Sequence, residues 1–211
     1  MTEAEVKLDL DYLKQLHSTV IEHKLVKDTV VLLNKKMNEG KRVLVEDCSS
    51  SLMDVDTGIY PYCDSFNTTV GSVCLGLGVP EEAIETTIGV FSATSIVRRA
   101  FLNRIRRFPT EISKEDPSYE SIKNNLETDY DISESKNAFG WLDLNLIKHS
   151  HTINNLSSLY LTGLDVLDDL DEIKICKKYK FGDEVIDGTL PALIDDFGLY
   201  TPEYKTMKGW K

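Results

Sequence analysis

The sequence predicts an α/β fold, with a mainly parallel sheet flanked by helices and a β-hairpin towards the C-terminal end. Apolar residues recur with helical spacing near the start of the chain, and short apolar runs without turn residues follow. Alternating segments on either side of Gly182 are typical of a hairpin. Strands that alternate with helices predict one α/β domain over all 211 residues.

Helices are predicted where apolar side chains repeat every three or four positions. The ranges predicted in this way are 9–23, about 24–38 and 141–153, and a helix over 68–77 is predicted from the capping residue before it. Gly40 is expected to end the second helix, and the side chain of Asn67 is expected to cap the third.

Buried parallel strands are predicted at 43–45, 88–91 and 159–162. Ligands of such sheets bind beyond the carboxyl ends of the strands, which places a candidate site at 46–51, 92–97 and 162–165. The segment 113–136 contains seven acidic residues and few large apolar ones. It is predicted to be a mobile surface segment.

Composition excludes several classes of protein. A net charge of −11 repels phosphate, which argues against a nucleic-acid or acidic-membrane binder. The sequence contains no apolar run long enough to cross a membrane and no signal peptide at its start. The four cysteines form no metal-binding or disulfide pattern, so a cytoplasmic protein with reduced thiols is expected.

Three motifs carry a family resemblance: Arg42–Glu46, continuing to Asp54–Tyr62; Asn137–Leu144; and Thr162–Ile175. Together they resemble the C-terminal half of the adenylosuccinate synthetases. The resemblance implies an adenylosuccinate synthetase-like fold, and an ancestral reaction that joins IMP to aspartate using GTP and Mg²⁺. It also implies that segments at both ends of the family's chain are missing here.

Several substrate-contacting positions of the family are substituted. The resemblance implies that Ser49 stands where an amide side chain reaches IMP, and Asp64 where a threonine contacts the IMP phosphate. Gly163 replaces a lysine in the motif that reads guanine, whereas Thr162, Leu164 and Asp165 remain as remnants of the nucleotide site. These changes remove donors and positive charge where the substrates are anionic, so no catalytic residue is expected in this chain.

The arginines are concentrated in one short segment. Five of the six are Arg98, Arg99, Arg104, Arg106 and Arg107. They could bind an anion, RNA or an acidic partner, or they could form a solvated insert that balances the chain's own acids.

Three functions therefore remain open. The first is a catalytically silent binding or regulatory protein, forming a homodimer or a heterodimer with full-length adenylosuccinate synthetase. The second is a fragment of an active ligase that needs a complementing chain, and the third is binding of anions or RNA through the arginines. No cofactor is expected for this chain alone, no metal site is predicted, and GTP and Mg²⁺ enter only through the family.

Overall fold

A computed structural model describes residues 3–46, 50–60, 63–98, 108–127, 132, 137–188, 190 and 194–210. Contacts within the chain divide it into two compact units. One contains 1–46 and 73–83, and the other contains 47–72 and 84–211. The single domain expected from the sequence stays a prediction.

The first unit includes two helices, α1 (Glu3–Glu22) and α2 (Thr29–Asn38). The Asp28 carboxylate caps α2 by accepting a hydrogen bond from the backbone N–H of Val31 at 3.0 Å. After α2 the chain turns at Gly40, whose φ of 73° is unfavourable for residues with a side chain. Both helices confirm the sequence prediction, and α1 begins six residues earlier than its predicted start at residue 9.

The prediction of a buried strand at 43–45 is wrong. Residues 41–46 form no helix or strand, and Leu44 is 90% exposed. A strand exists only where a neighbour accepts and donates its backbone hydrogen bonds, and no described strand pairs with this segment.

A small parallel sheet in the second unit consists of β1 (Ile88–Ser92) and β4 (Ser158–Thr162). Both strands match predicted positions. Neither is buried as predicted, because every residue of β4 is exposed and β1 alternates between exposed and half-buried.

The larger sheet of this unit contains five strands: β2 (Thr94–Arg98), β3 (Asn137–Asp143), β5 (Glu172–Phe181), β6 (Glu184–Ile186) and β7 (Thr201–Lys208). β3 pairs with β5 in parallel and with β2 antiparallel, and β5 pairs antiparallel with both β6 and β7. The β5–β6 pair is the predicted hairpin. The α/β class is confirmed, with mixed pairing among the described strands.

The helix predicted from residue 141 begins later than expected. Trp141 lies in β3, and α5 runs from Leu144 to Asn154. The side chain of Asp143 accepts hydrogen bonds from the backbone N–H groups of Asn145 and Leu146, which fixes the start of the helix. At residues 70–77 the predicted helix is confirmed as α3 (Val70–Leu77). Asn67, the expected cap, instead donates to the Asp56 carboxylate at 2.7 Å.

The acidic segment 113–136 contributes to the core. It contains α4 (Tyr119–Leu126), in which Ile122 and Leu126 are buried beside Trp141 and Leu170. The prediction of a surface segment is wrong for this helix, because its few apolar residues all lie on one face. Mobility of the segment stays a prediction.

Candidate functional site

One candidate region is the loop that follows residue 50, and it is organised around the buried carboxylate of Asp54. This side chain, 1% exposed, accepts hydrogen bonds from the N–H groups of Asp56, Thr57 and Thr68 at 2.7–2.9 Å. Burial raises the pKa of Asp54, but the hydrogen bonds from Thr57, Thr68 and Asp56 outweigh it and hold the pKa at about 2. Asp54 is therefore ionised and fixes the course of the loop.

The Asp54 loop also fixes the backbone of Asp64. The N–H of Asp64 donates to the Met53 carbonyl at 2.7 Å, and the Thr68 hydroxyl donates to the Ser50 carbonyl at 2.8 Å. Asp64 itself is half-buried. Burial, followed by the charges of Asp54 and Asp64, raises the pKa of the adjacent Cys63 thiol. This corner of the molecule is electronegative, and the thiol is a poor nucleophile there.

A second candidate region lies where β1 and β4 end side by side. The Thr162 carbonyl accepts a hydrogen bond from the N–H of Ala93 at 2.8 Å, and the Thr162 hydroxyl donates to the Phe91 carbonyl at 3.1 Å. Gly163 follows with a φ of 65° and opens a 3-10 helix, Leu164–Leu167.

The two ends of this 3-10 helix differ in exposure. Leu164 and Asp165 are exposed, whereas Val166 and Leu167 are buried in the core. The carboxylate of Asp165 is thus accessible to a ligand at the carboxyl end of β4. That is where the sequence predicted a remnant of a nucleotide site.

The predicted site residues are described only in part. Thr162, Leu164 and Asp165 lie together at the end of β4, and Asp64 lies in the Asp54 loop. Ser49 falls outside the described residues, as do Arg99, Arg104, Arg106 and Arg107. The backbone of Arg98 ends β2 opposite Asn137. Anion or RNA binding through these arginines stays a prediction.

A buried polar cluster at the start of α5 was not predicted. The Asp143 carboxylate accepts a hydrogen bond from the Tyr179 hydroxyl, and the Asn145 side chain lies 3.8 Å from the Cys176 sulfur. Burial raises the pKa of Asp143 against the effect of its hydrogen bonds. Burial is the main cause that raises the pKa of Tyr179, and the charge of Asp143 is the second. The same two causes raise the pKa of Cys176 to about 12. Such a cluster fixes the junction between a strand and a helix. Its only signal in the sequence was the carboxylate of Asp143 at the end of an apolar strand.

The described residues form neither a metal-binding cluster nor a helix that could cross a membrane. No group of three or more His, Cys, Asp or Glu side chains among them could hold a metal ion. In the acidic turn after the 3-10 helix, the Asp168 carboxylate accepts a hydrogen bond from the Trp210 indole at 2.7 Å. In the same part of the chain, no helix combines the length and apolarity that crossing a membrane needs.

Comparison with known proteins decides the family. The family model for adenylosuccinate synthetase matches residues 1–211. The chain belongs to the adenylosuccinate synthetase family. It is 36% identical over 211 residues to the adenylosuccinate synthetases of Paramecium tetraurelia and Caenorhabditis elegans, covering 99% of this chain and 47% and 44% of those proteins.

A solved adenylosuccinate synthetase confirms the fold. The structure of the fully ligated enzyme from Plasmodium falciparum matches with a TM-score of 0.81 and 27% identity over 100% of this chain and 48% of that chain. A Clostridium botulinum adenylosuccinate synthetase is 35% identical over 188 residues, 41% of its length. The chain therefore spans about half the length of the adenylosuccinate synthetases it matches.

The described residues differ in how well they suit the GTP and the Mg²⁺ that the family implies. The exposed Asp165 carboxylate at the end of β4 is chemically suited to accept hydrogen bonds from a guanine edge. For Mg²⁺, the described residues contain no group of three or more His, Cys, Asp or Glu side chains that could hold a metal ion.

Proposed function

We propose that this chain does not join IMP to aspartate by itself and acts instead as a binding or regulatory member of the adenylosuccinate synthetase family. The residue that carries the proposal is Asp64, a carboxylate where, by the resemblance, the family's threonine contacts the IMP phosphate. Two like charges about 4 Å apart repel by about 1 kcal/mol in water and about 4 kcal/mol at an effective dielectric of 20.

The geometry of the loop supports this repulsion. The Asp64 backbone is held by the Met53 carbonyl, within a loop whose course is set by the buried Asp54. A loop fixed in this way cannot move the Asp64 backbone far from an incoming phosphate without breaking those hydrogen bonds. Ionised Asp54 nearby adds to the same negative field.

The turn after β4 supports loss of a second substrate contact. Gly163 has a φ of 65°, a conformation that residues with a Cβ rarely adopt. A Cβ at this position would also approach the Ser92 hydroxyl to 3.3 Å. The backbone thus favours glycine over the lysine of the family motif, and restoring the lysine would strain the turn.

Binding of another protein replaces catalysis in this proposal. The chain would form a homodimer or pair with a full-length adenylosuccinate synthetase, and the chain alone would use no cofactor. Asp165 could still accept a guanine edge, but one such contact does not position the phosphates for transfer.

The proposal is tested by titrating IMP, up to millimolar concentration, into the wild-type chain and into Asp64→Thr. Binding is monitored by NMR. We expect no saturation for wild type and at least about fivefold tighter binding for Asp64→Thr, because about 1 kcal/mol of repulsion is removed. The matched control is Asp183→Thr, which removes the same charge from the exposed β5–β6 turn. Saturable binding by wild type, or equal binding by the two variants, contradicts the proposal.

A second candidate is a portion of an active ligase that is completed by another chain. Two observations favour it: the chain spans about half the length of its relatives, and apolar strand residues of β1 and β4 are exposed. Formation of adenylosuccinate from IMP, aspartate and GTP by the chain together with a complementing polypeptide, and not by either alone, would establish it.

A further inference from the structure

Asn154, the last residue of α5, has a buried side chain that bonds to both ends of the Asp54 loop. Its Oδ1 accepts a hydrogen bond from the backbone N–H of Val70 at 2.8 Å, and its Nδ2 donates to the Ser51 hydroxyl at 2.9 Å. The same Nδ2 also donates to the Ser150 carbonyl within α5 at 2.9 Å. Both polar atoms of this amide are therefore engaged, which fixes its orientation.

The two contacts lie on either side of the residues that matter for the proposed function. Ser51 begins a short 3-10 turn at the start of the loop, and Val70 begins α3 directly after the loop. Asp54 and Asp64 lie between them in the sequence. One side chain, 103 and 84 positions from its two partners, therefore joins the start of this segment to its end.

Hydrogen bonds inside the loop carry this restraint to Asp64. The Thr68 hydroxyl donates to the Ser50 carbonyl at 2.8 Å, and the Thr68 N–H donates to the Asp54 carboxylate at 2.7 Å. The N–H of Asp64 donates to the Met53 carbonyl at 2.7 Å. These bonds set the shape of the loop, and the Asn154 amide attaches that shape to α5.

α5 is itself fixed at both ends. Its first turn is capped by Asp143, which also accepts a hydrogen bond from Tyr179 in β5. At the other end Asn155 adopts a φ of 48°, and its N–H donates to the His151 carbonyl, so the helix ends directly after Asn154. The Asn154 amide thus has a defined place relative to β3 and β5.

A simpler role for Asn154 would be that of a cap for α3. The first N–H groups of a helix lack partners within it, and the Asn154 oxygen satisfies that of Val70. A cap needs only an acceptor, however, whereas Asn154 also donates to Ser51 at the far end of the loop. The pair of contacts is what a residue that holds the loop requires.

We propose that Asn154 is a positioning residue, which fixes the Asp54 loop against α5 and thereby fixes where the backbone of Asp64 lies. The link to phosphate repulsion rests on the proposed function, in which Asp64 opposes the phosphate of IMP. The restraint on the loop does not depend on that step, so the two can be tested separately.

Hydrogen exchange measured by NMR on Asn154→Leu tests the restraint. Leucine has nearly the size of asparagine but no polar atoms, so the bonds to Val70 and Ser51 are lost. We expect the amides of Thr68 and Asp64, which are bonded within the loop, to exchange at least about tenfold faster, because loss of hydrogen bonds in a buried site has effects of this order. Rates are compared with those of the β2–β3 amides, which report opening of the larger sheet.

The matched control is Asn145→Leu in the first turn of α5. Asn145 is also buried, and its Oδ1 accepts a hydrogen bond from the Gly188 N–H at 3.0 Å, away from the loop. This change should leave the loop amides within about twofold of wild type relative to the β2–β3 amides. Each variant is first checked for a cooperative thermal transition. Ser51→Ala, which removes one contact and no buried amide, should speed exchange of the loop amides about threefold and decides the question if Asn154→Leu does not fold.

Titration of IMP connects the loop to the proposed function. Asp64→Thr is the variant expected to bind IMP. Adding Asn154→Leu to it should weaken that binding at least about fivefold, because the loop is no longer held in one place, whereas adding Asn145→Leu should change it by less than about twofold.

Three results would overturn the proposal. The first is faster exchange at Val70 alone, which would leave Asn154 as a cap of α3. The second is equal acceleration of the loop amides by Asn154→Leu and Asn145→Leu. The third is equally tight IMP binding by Asp64→Thr with and without Asn154→Leu. Failure of Asp64→Thr itself to bind IMP would contradict the proposed function instead, and the exchange rates would then decide the role of Asn154.

Discussion

At the scale of single residues, two aspartates in one loop have opposite consequences. Asp54 is buried and satisfied by backbone N–H groups, so its charge stabilises the loop. Asp64 is half-buried ten residues later, and under the proposed function its charge would oppose the substrate phosphate of the family. The buried Asp54 carboxylate thus helps to fix the loop whose backbone carries Asp64.

Replacing Asp54 tests the structural role of this charge. Asp54→Asn should destabilise the chain by about 2–4 kcal/mol at pH 7, because charge-assisted hydrogen bonds in a buried site are weakened. The measurement is urea unfolding, and Asp183→Asn on the exposed β5–β6 turn is the control, with a change below about 0.5 kcal/mol.

The same variant should change the response to acid. The folded pKa of Asp54, about 2, lies below the unfolded value of about 3.9. The carboxylate therefore stabilises the fold fully above about pH 4, and this stabilisation is lost as the pH falls towards 2. Stability of Asp54→Asn should fall less steeply than that of wild type over this interval. Parallel pH profiles would contradict the assignment.

At the scale of elements, the junction of β3 and α5 is fixed by a buried polar group. Asp143 ends the strand, caps the helix and accepts a hydrogen bond from Tyr179 in β5. One side chain thereby links two paired strands and a helix. An unpaired hydroxyl or carboxylate at this depth costs about 1–3 kcal/mol, so the partners depend on each other.

A double-mutant cycle on Asp143→Asn and Tyr179→Phe measures that dependence by urea unfolding. We expect each single change to cost about 1–3 kcal/mol and the double variant to cost about 0.5–3 kcal/mol less than their sum. Asp28→Ala, at the exposed cap of α2, should cost only about 1 kcal/mol. Additive effects of the two core changes would contradict the link.

Elements with local sequence signals were predicted correctly, whereas elements that depend on distant pairing were not. Helical spacing and stop residues located α1, α2 and α3, because these signals are local. Trp141 was assigned to a helix because apolar residues continue from β3 into α5 without a turn residue, and only the cap made by Asp143 separates them. β7 was missed because its pairing with β5 depends on residues distant in sequence.

For the candidate site, the sequence predicted where the residues lie relative to the strands better than it predicted how exposed those strands are. Thr162, Leu164 and Asp165 lie at a strand end, as expected from the parallel-sheet rule. The exposure of β4 could not be read from its composition, because an apolar strand has the same sequence whether or not its faces are covered. The cluster around Asp143 was equally hidden, since Tyr179 and Asp143 are 36 residues apart.

At the scale of the whole molecule, exposed apolar surface and high negative charge oppose each other. Apolar residues are exposed in α1, in the 43–45 segment and in the β1–β4 sheet. Large exposed apolar patches mark binding sites or promote aggregation, whereas a net charge of −11 keeps copies apart. Under the proposed function, a partner protein would cover this apolar surface.

The measurement that tests the central claim most directly is a thermal-unfolding series on the purified wild-type chain. IMP, GTP with Mg²⁺, and aspartate are added separately and then together. A ligand at a hundred times its dissociation constant adds about 2.7 kcal/mol, or about 5–10 °C in Tm for a chain of this size. A cooperative transition that no addition shifts by more than about 1 °C is the predicted result. A shift of several degrees with IMP or with GTP and Mg²⁺ would contradict the proposal that this family member is catalytically silent. It would favour the second candidate, a portion of an active ligase that another chain completes.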